Sequence, residues 1–355
     1  MSAESKLETA LSWYFGVLRG RYPPRYKIAK SIPVDAELNM LTDDELWSLH
    51  REMEFEFRKR LNEIVKYNEK ALPQAPVSYI DLKTEILNRM ILSCELCERK
   101  CGTNRMLAKG KYCRVDYRGQ VSTYFPHYGE EHPLIPSGTI FYTGCNFRCV
   151  YCQNFEISQQ IPLRGAYVDA RDLALIQSKL VRMGAININH VGGEPTPHAH
   201  VIVESFKYFN EDVPQIWNSN FYMSEKLTRL LLDVIDLWLP DFKYWEPSHA
   251  SVLSAAPRYR EVVTRNLISV RWEGSIILRH LVLPGHVECC SKPIVKWLSE
   301  NMPKDWLVIN IMDQYYPTYR VLLEESRWKD LNRRVRKDEI EEVLSLAKRE
   351  GLIII

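Results

Sequence analysis

The stretch GCNFRCVYCQN, residues 144–154, holds three cysteines, Cys145, Cys149 and Cys152, in a Cys-x3-Cys-x2-Cys arrangement. Three thiolates within eight residues can bind three corners of one [4Fe–4S] cube and leave the fourth iron without a protein ligand. An open iron can bind and reduce a small molecule, so the stretch predicts a reactive site and not only a store for electrons. Structural zinc normally takes four ligands, and an odd number of cysteines suits disulfides poorly, so neither accounts well for this spacing.

This cysteine pattern resembles the cluster motif of the radical S-adenosylmethionine (SAM) enzymes. In that family the open iron binds SAM through its amino and carboxylate groups, and an aromatic residue usually precedes the third cysteine, as Tyr151 does in this chain. The resemblance implies two cofactors, a [4Fe–4S] cluster on Cys145, Cys149 and Cys152 and a SAM molecule on its open iron. Clusters of this kind are sensitive to oxygen, so a low-oxygen setting is expected.

Length and composition limit the classes of protein to which this chain can belong. The chain has 355 residues, enough for one large domain with additions or for two domains. It is 46% hydrophobic and 26% charged with a net charge of +2, which is ordinary for a soluble globular protein and predicts neither nucleic acid nor a membrane as a partner. We expect no signal peptide and no membrane span, because no basic stretch precedes an apolar core and no apolar run reaches about 18 residues. Nine cysteines without an export signal favour the cytoplasm and metal ligation.

Residues 1–92 are predicted to form a helical extension. Apolar residues recur at helical spacing over residues 7–18, and a second helix is expected to start near Thr42, because Thr42-x-x-Glu45 matches a capping box. Prolines interrupt the pattern before a third helix over residues 80–92. The apolar faces of these helices predict a packing layer and not a ligand site.

A second group of cysteines lies in the segment 93–136. Its members, spaced by two, three and eleven residues, are Cys94, Cys97, Cys101 and Cys113. Four cysteines close together in sequence predict a closed metal site. A structural zinc ion and an auxiliary [4Fe–4S] cluster would both satisfy them, and the spacing leaves both open.

Strands and helices alternate over residues 137–325. Apolar or β-branched runs occur at 139–142, 187–191, 215–217, 235–239, 275–283 and 307–311, with amphipathic stretches between them. This alternation predicts an α/β fold with a partial (β/α)6 TIM-type barrel, which is also the core of the radical SAM fold. Chemistry in such barrels gathers at the carboxyl ends of the strands, and the three-cysteine stretch directly follows the first one. Residues 326–355 are predicted to add a helix and a short strand.

The second barrel strand ends in Gly192, Gly193 and Glu194. Glycines at a strand end let a ligand approach the backbone, and Glu194 places a carboxylate beside the predicted cluster. The segment resembles the GGE motif of radical SAM enzymes, which holds the SAM amino group.

Polar residues also end the next three strands. They resemble the T-N-G, D-x-K and R-x4-P-G motifs of the pyruvate formate-lyase activating enzyme group, in which the Asp and Lys lie near the SAM carboxylate and a bound cation. The cofactor-binding residues implied by this resemblance are Asn218, Asn220, Asp241, Lys243 and Arg279. The chain departs from the group at two positions, since Phe221 replaces a glycine and Asn218 stands where an activating enzyme usually has Asp.

The likeness, over about residues 94–320, implies an activating-enzyme-like radical SAM enzyme with an extra cysteine-rich segment. Such an enzyme takes an electron from a ferredoxin- or flavodoxin-type donor and cleaves SAM to a 5′-deoxyadenosyl radical, which abstracts hydrogen from a substrate. We expect a small molecule or a peptide as substrate; the alternative is a glycine of a partner protein that becomes a glycyl radical. A hypothesis of another class is a non-catalytic iron–sulfur or zinc protein for electron transfer or protein contacts, although electron transfer needs none of the polar strand ends.

Three further expectations concern the surroundings of the site. Residues 1–113 have enough chain to wrap upward over the barrel mouth, which would favour an enclosed small-molecule site. Cys289 and Cys290 are adjacent, and vicinal cysteines suit neither an easy disulfide nor two ligands of one tetrahedral ion, so no site is expected there. His190 and His198 flank the GGE segment, and a structural role is expected for each.

Overall fold

Six parallel strands form the centre of the fold. The computed structural model describes residues 3–69 and 72–355, and the strands of these residues belong to one sheet. The strands are β1 (Gly119–His127), β2 (Ser137–Tyr142), β3 (Ala166–Val168), β4 (Asn187–Gly192), β5 (Gln215–Ser219), β6 (Leu237–Pro240), β7 (Ser275–Leu281), β8 (Leu307–Met312) and β9 (Ile353–Ile354).

The strand order confirms the predicted α/β fold and partial barrel. The sheet runs β3-β1-β2-β4-β5-β6-β7-β8-β9. Neighbours from β2 to β9 are parallel, whereas β1 pairs antiparallel with both β2 and β3. The order ends at β3 and β9, so the sheet stays open, and β2 with β4–β8 are the six predicted barrel strands. β5 and β6 are buried along their whole length, as expected of parallel strands covered on both faces.

Helices alternate with the barrel strands and extend before and after them. They are α1 (Ala3–Ala10), α2 (Ser12–Leu18), α3 (Arg25–Ser31), α4 (Asp43–Tyr67), α5 (Tyr79–Met90), α6 (Phe155–Ser158), α7 (Ala170–Arg182), α8 (Ala199–Ser205), α9 (Glu225–Leu231), α10 (Pro247–Ser254), α11 (Tyr259–Val270), α12 (Lys292–Asn301), α13 (Arg320–Leu323) and α14 (Lys337–Arg349). A π-helical turn, Val287–Ser291, leads directly into α12. Within the described part of the chain, no helix combines the length and apolar character that a bilayer span requires.

The first two helices close the amino-terminal end of the barrel. The Tyr14 hydroxyl accepts a hydrogen bond from the Asn187 side chain at 3.0 Å, and the Tyr14 backbone N–H donates to the Ser275 hydroxyl at 3.1 Å. Asn187 and Ser275 are the first residues of β4 and β7. A separate apolar cluster joins Leu11 of this segment to Leu237 and other barrel residues. Residues of α1 and α2 therefore lie opposite the end at which the chemistry is expected.

Helices α3–α5 form an outer layer against α8 and α9. Tyr26 of α3 stacks on Phe206, with ring centroids 5.2 Å apart. Lys83 of α5 forms a buried ion pair with Asp233 at 3.0 Å, and removing one partner of such a pair typically costs about 3–5 kcal/mol. The capping box predicted at Thr42 is present at the start of α4. These contacts hold the described helices of residues 1–92 at the base and flank of the barrel, so the expectation that residues 1–113 cover its mouth is wrong for this helical part.

Candidate active site

The three cysteines of the loop after β2 open onto one cavity at the carboxyl ends of the barrel strands. The cavity has a volume of about 270 Å³, and Cys145, Cys149 and Cys152 all line it. It is also lined by each of the residues implicated in cofactor binding, namely Gly192, Gly193, Glu194, Asn218, Asn220, Asp241, Lys243 and Arg279. The parallel register explains this convergence, because it pairs Tyr142 with Gly192 and brings the ends of neighbouring strands side by side.

Glycine lets the loop after β2 and the turn after β4 approach each other closely. A Cβ atom on Gly193 would lie 2.2 Å from the Gly144 carbonyl oxygen. Gly192 has a φ of +109°, and a Cβ there would lie 2.0 Å from the Tyr142 backbone nitrogen. No side chain fits at either position, so both glycines are required to seat the three-cysteine loop against the start of the Glu194 turn.

Each thiol of the loop has a polar neighbour. The Phe147 backbone N–H donates to Cys145 Sγ at 3.3 Å, and the Ser254 hydroxyl donates to Cys149 Sγ at 3.0 Å. Cys152 Sγ lies 3.3 Å from the Ser158 hydroxyl. Burial raises the pKa of Cys145 well above its usual value and that of Cys149 to about 12. A cationic iron centre would hold these sulfurs as thiolates, which hydroxyl and N–H donors then stabilise.

Glu194 is held rigidly at the cavity wall. It is 2% exposed, and its Oε1 accepts from the Thr196 hydroxyl at 2.5 Å and from the Ser219 hydroxyl at 2.6 Å. Its Oε2 accepts from the Asn220 backbone N–H at 3.0 Å. Burial raises the pKa of Glu194, while these hydrogen bonds act in the opposite direction. Among the described residues Oε2 accepts a hydrogen bond from a single donor, so this oxygen retains the capacity to accept another from a ligand ammonium group.

Asn220 faces the cluster loop. Its amide nitrogen donates to Asn146 Oδ1 at 2.6 Å and lies 3.8 Å from Cys145 Sγ. The next residue, Phe221, adopts a left-handed backbone conformation with φ +60°, where the activating enzymes have glycine. The Phe221 side chain is fully buried and packs edge-on against Trp238, which stabilises this conformation.

Asp241 and Lys243 form an ion pair at the end of β6. The Tyr259 hydroxyl donates to the Asp241 carbonyl oxygen at 2.9 Å and accepts from the Lys243 backbone N–H at 2.9 Å, so it braces the turn that carries both side chains. Burial lowers the pKa of Lys243, but the charges of Asp241 and Cys149 outweigh burial and raise it. A protonated Lys243 therefore faces the cavity near the cluster cysteines.

Arg279 is engaged by two acidic residues that the sequence reasoning missed. Its guanidinium binds Glu131 through two hydrogen bonds of 2.6 and 2.7 Å and also contacts Glu130. These charges raise the pKa of Arg279 despite its burial. Both carboxylates come from the segment between β1 and β2. In the sequence, the only sign of this contact is a pair of adjacent acidic residues before the first barrel strand. Asn218 Oδ1 accepts a longer hydrogen bond, of 3.4 Å, from the Arg279 guanidinium.

The residues present fit a cluster and a bound polar ligand. All three cavity cysteines are free of disulfides, as are the other six cysteines of the chain. The Asn218 side-chain nitrogen lines the cavity, is buried and has no hydrogen-bond partner among the described residues. Buried polar groups are nearly always paired, so an unpaired amide in the wall indicates a ligand that accepts its hydrogen bond.

The second group of cysteines lies directly beside the cluster loop. Cys94, Cys97, Cys101 and Cys113 line a small cavity of about 20 Å³. Asn146 and Thr196 also line it. Asn146 follows Cys145 in the chain, and Thr196 donates to Glu194, so these two residues separate the two cysteine sites. The cysteine-rich segment is anchored there by Arg105, whose guanidinium donates to the Pro197 carbonyl at 2.7 Å.

A segment after β8 crosses the cluster loop from the other side. The Arg320 backbone N–H donates to the Val150 carbonyl at 3.0 Å, and Tyr319 stacks on Phe155 with centroids 4.6 Å apart. Tyr315 is buried, packs edge-on against Tyr151 and has its hydroxyl bonded to the Leu331 carbonyl, so its role is in packing. Periodicity could not reveal this contact, because the segment has no regular structure before α13.

The two histidines beside the GGE segment have structural contacts. His190 is bonded to the Tyr142 hydroxyl at 2.8 Å and to the Gln215 side chain at 3.0 Å. His198 Nε2 lies 2.8 Å from the Thr143 carbonyl oxygen. Burial lowers the pKa of His190 to about 4 and that of His198 to about 3, so both rings are neutral near pH 7.

Comparison with known families agrees with this site. The model of the radical SAM superfamily matches residues 139–297, which contain the cluster loop and most of the barrel. This part of the chain is therefore similar to the radical SAM superfamily, a family that implies a [4Fe–4S] cluster and SAM as cofactors and SAM cleavage as the general chemistry. The chain is 36% identical over 350 residues to an uncharacterized protein of Methanocaldococcus jannaschii, MJ0674, with 97% of this chain and 99% of that protein covered.

Solved structures show more distant similarity. One is a domain of a pyruvate-formate lyase-activating enzyme from Bacteroides vulgatus, at 14% identity and a TM-score of 0.38, covering 48% of this chain and 97% of that one. Another is Streptococcus suis SuiB bound to the precursor peptide SuiA, at 13% identity and a TM-score of 0.43, covering 60% of this chain and 46% of that one. At these TM-scores neither similarity says anything about the substrate.

Proposed function

We propose that the protein is an activating-enzyme-like radical SAM enzyme whose catalytic centre is the cavity at the ends of β2 and β4–β7. The observation that carries this proposal is the convergence of a three-thiol loop with a buried carboxylate, an Asp–Lys pair and an unpaired amide on one cavity wall. When bound, the cluster and SAM supply reductive cleavage of the sulfonium bond and a 5′-deoxyadenosyl radical that takes hydrogen from a substrate.

The residues of the cavity divide the recognition of SAM between them. Glu194 Oε2 would accept from the SAM ammonium group, and its other oxygen is fixed by Thr196 and Ser219 so that the carboxylate does not turn away. Lys243 would supply positive charge toward the SAM carboxylate, with Asp241 orienting it. Gly192 and Gly193 line the same cavity, and their lack of side chains lets the cluster loop pack against the Glu194 turn. Burial of these groups strengthens each charge-assisted contact, because little water remains to screen it.

The substrate reaches the radical from the barrel mouth. The cavity of about 270 Å³ lies just below the usual range for a small-molecule site, about 300–1,000 Å³, so it offers little room for a separate substrate beside SAM. The described helices of residues 1–92 pack at the base and flank and do not enclose further space above it. This arrangement favours a peptide or protein segment inserted from outside over an enclosed small molecule.

We further propose that Cys94, Cys97, Cys101 and Cys113 hold an auxiliary [4Fe–4S] cluster and not zinc. Tetrahedral zinc draws its sulfurs to about 2.3 Å from one point, which places them about 3.8 Å apart and leaves no void between them. Among the described residues, no three of these sulfurs lie within 4.8 Å of one another, although Cys94 and Cys101 contact each other. The cavity that they line, about 20 Å³, also exceeds the volume of one water-sized sphere.

The auxiliary site lies on the surface at which an electron donor would dock. Lys100, Lys109, Lys111 and Arg114 are exposed around Cys101 and Cys113. Such a basic surface attracts an acidic electron carrier of the ferredoxin or flavodoxin type. Asn146 then forms the short link from the auxiliary site to Cys145.

One assay tests the catalytic proposal against the non-catalytic alternative. Anaerobically reconstituted protein is mixed with dithionite and SAM, and 5′-deoxyadenosine is measured by chromatography. The proposal expects its formation in the native protein and background amounts in Cys149→Ala. Background amounts in both proteins would support a binding or electron-transfer role instead.

Iron analysis tests the auxiliary cluster separately. The native protein should contain about eight irons per chain, and a variant lacking the four cysteines of residues 94–113 should contain about four. About four irons with one zinc in the native protein would show that the second site is a zinc site.

A further inference from the structure

A third cysteine-containing cluster lies on the rim of the barrel, and its residues line neither of the two cavities described above. His249 Nδ1 is 3.5 Å from Cys290 Sγ and 3.7 Å from Cys289 Sγ. All three ligand atoms lie within 4.8 Å of one another. His249 belongs to α10, and the two cysteines belong to the π-helical turn before α12, so two neighbouring strand-to-helix connections meet here.

The spacing of these atoms is that of ligands around one small ion. Zinc–nitrogen bonds of about 2.0 Å and zinc–sulfur bonds of about 2.3 Å place neighbouring nitrogen and sulfur ligands about 3.5 Å apart in a tetrahedron. The two distances from His249 Nδ1, 3.5 and 3.7 Å, agree with this value. The four cysteines of residues 94–113 have no such compact trio among the described residues, so the two kinds of site differ in geometry.

The π-helical turn explains how adjacent cysteines reach one point. Neighbouring side chains of an α-helix diverge by about 100°, which would send one thiol away from the other. The wider turn over Val287–Ser291 instead leaves both sulfurs near the same imidazole nitrogen. Single π-helical turns are rare and occur frequently at functional sites, which favours a ligand site here over two incidental core thiols.

His286 lies beside this trio, although its nitrogens fall outside the group of atoms that are within 4.8 Å of one another. Its ring lies against that of His249, with centroids 4.6 Å apart. His286 Nδ1 is 2.8 Å from the Pro284 carbonyl oxygen, so this nitrogen carries the proton and Nε2 keeps its lone pair. Metal-binding histidines characteristically donate their other ring N–H to a backbone carbonyl or carboxylate in this way.

We infer that His249, Cys289 and Cys290 form a binding site for a soft divalent cation of the zinc class. Two thiolates and one imidazole at this spacing are donors that zinc prefers, and its fourth position would be taken by water or another ligand. The bound ion clamps the connection after β6, which carries Asp241 and Lys243, to the connection after β7. This assignment does not depend on the SAM chemistry proposed above.

The other compact group of possible metal ligands among the described residues is not a candidate metal site. His50, Glu54 and Asp233 also lie within 4.8 Å of one another. The Lys83 ammonium is 3.0 Å from Asp233 and 3.2 Å from His50, so a cation of the protein already occupies that position.

Metal analysis of matched variants tests the site. Reconstituted native protein is incubated with zinc under anaerobic conditions, freed of excess metal and analysed for zinc. Cys289→Ser and His249→Ala should each hold one zinc fewer per chain than the native protein. Glu288→Gln changes an exposed side chain of the same turn and should keep the native zinc content. Equal zinc content in the native protein and in both ligand variants would overturn the site.

A second measurement uses the native protein alone and so does not depend on the folding of a variant. Cys289 is only partly buried and should react with an alkylating reagent, with the modified peptide quantified by mass spectrometry. Zinc at about ten times its dissociation constant leaves about one site in eleven free, so alkylation of Cys289 should slow about tenfold. An unchanged rate at saturating zinc would contradict the proposal.

Discussion

The two main cysteine groups of this protein lie side by side but are built for different tasks. Cys145, Cys149 and Cys152 occupy one loop and face a cavity of about 270 Å³ whose other walls are polar strand ends. Cys94, Cys97, Cys101 and Cys113 surround about 20 Å³ and leave no room for a second ligand. Three ligands with an open direction permit substrate chemistry, whereas four ligands enclose the metal. The contrast shows that the space beside the thiols, more than their number alone, separates a reactive site from a closed one.

The surroundings of the two cysteine groups also differ: buried barrel residues surround the first group, and an exposed basic loop covers the second. The open site is braced from the barrel by Glu194, Ser254 and Tyr259, which are buried on strand ends and helices. The closed site is covered on its outer side by a loop with exposed basic residues such as Lys109 and Lys111. In the function proposed above, the inner group would hold the cluster that binds SAM, and the outer group would exchange electrons with a partner.

The largest expected effect separates the two sites directly. Cys149→Ala should reduce 5′-deoxyadenosine formation to background, because an open cluster cannot be held correctly by two thiols. Cys97→Ala should leave SAM affinity within a small factor of native, since no residue of the cysteine-rich segment lines the SAM cavity. Chromatography and calorimetry measure the two quantities. Equal loss of SAM binding in both variants would mean that the two sites form one functional unit.

The next effect concerns the carboxylate of the open site. Glu194→Gln should weaken SAM binding by about 10- to 150-fold, because it removes a charge-assisted hydrogen bond of about 1.5–3 kcal/mol. The cluster absorbance should remain. Glu204→Gln on α8 is the matched control, since burial also raises the pKa of Glu204 but this residue lies outside the cavity. Unchanged SAM affinity in calorimetry would refute the role of Glu194.

The raised pKa of Glu194 predicts how SAM binding depends on pH. Burial raises the pKa of Glu194 above its usual value of 4.5, and only the ionised carboxylate can pair with an ammonium group. SAM affinity should therefore be full well above that raised pKa and fall as the pH decreases through it. Glu194→Gln should abolish this dependence. If the SAM affinity of Glu194→Gln falls over the same pH range as that of the native protein, the pH dependence belongs to another group.

A smaller effect tests Thr196, which lines the cavity of the second cysteine group and donates a hydrogen bond to Glu194 of the other cavity. Thr196→Val removes the hydroxyl that holds Glu194, which should weaken SAM binding by about 2- to 13-fold for a hydrogen bond of about 0.5–1.5 kcal/mol. Thr228→Val, a buried threonine of α9, controls for the substitution itself. Iron content should stay native in both proteins. Loss of about four irons in Thr196→Val alone would show that Thr196 supports the auxiliary site more than the SAM site.

The smallest effect concerns the surface of the closed site. The double variant Lys109→Glu and Lys111→Glu should slow reduction by an acidic ferredoxin or flavodoxin about two- to fivefold at low salt, and the difference should vanish at high salt. Reduction by dithionite should be unaffected. A double variant at Lys296 and Lys348, exposed on α12 and α14, provides the control. Equal slowing in the two variants would place the donor elsewhere.

Local signals in the sequence were sufficient for the fold. The six barrel strands match the predicted apolar runs closely, because strands buried on both faces must be apolar along their length. The capping box at Thr42 was equally local, since its two partners are three residues apart. The strand-end residues of the site could be located for the same reason, as each follows directly from a recognisable strand.

Contacts between distant segments could not be predicted in this way. The pairing of Arg279 with Glu131 joins residues 148 positions apart, and that of Cys290 with His249 joins residues 41 positions apart. The expectation that residues 1–113 cover the barrel mouth failed for α1 and α2, because their apolar faces would fit several surfaces of the barrel equally well. Hydrophobic periodicity shows that a face is buried but not against which partner.

The sequence by itself determined the chemistry of this protein. Cysteine spacing and the order of strand-end motifs define the cluster loop and the candidate SAM residues, because both are set by short stretches of chain. Tertiary structure alone decided what stands beside them: the brace around Glu194, the acids beneath Arg279, the closed second site and the rim cluster at His249. Those features depend on packing between distant elements, where geometry and burial, and not local propensity, select which groups meet.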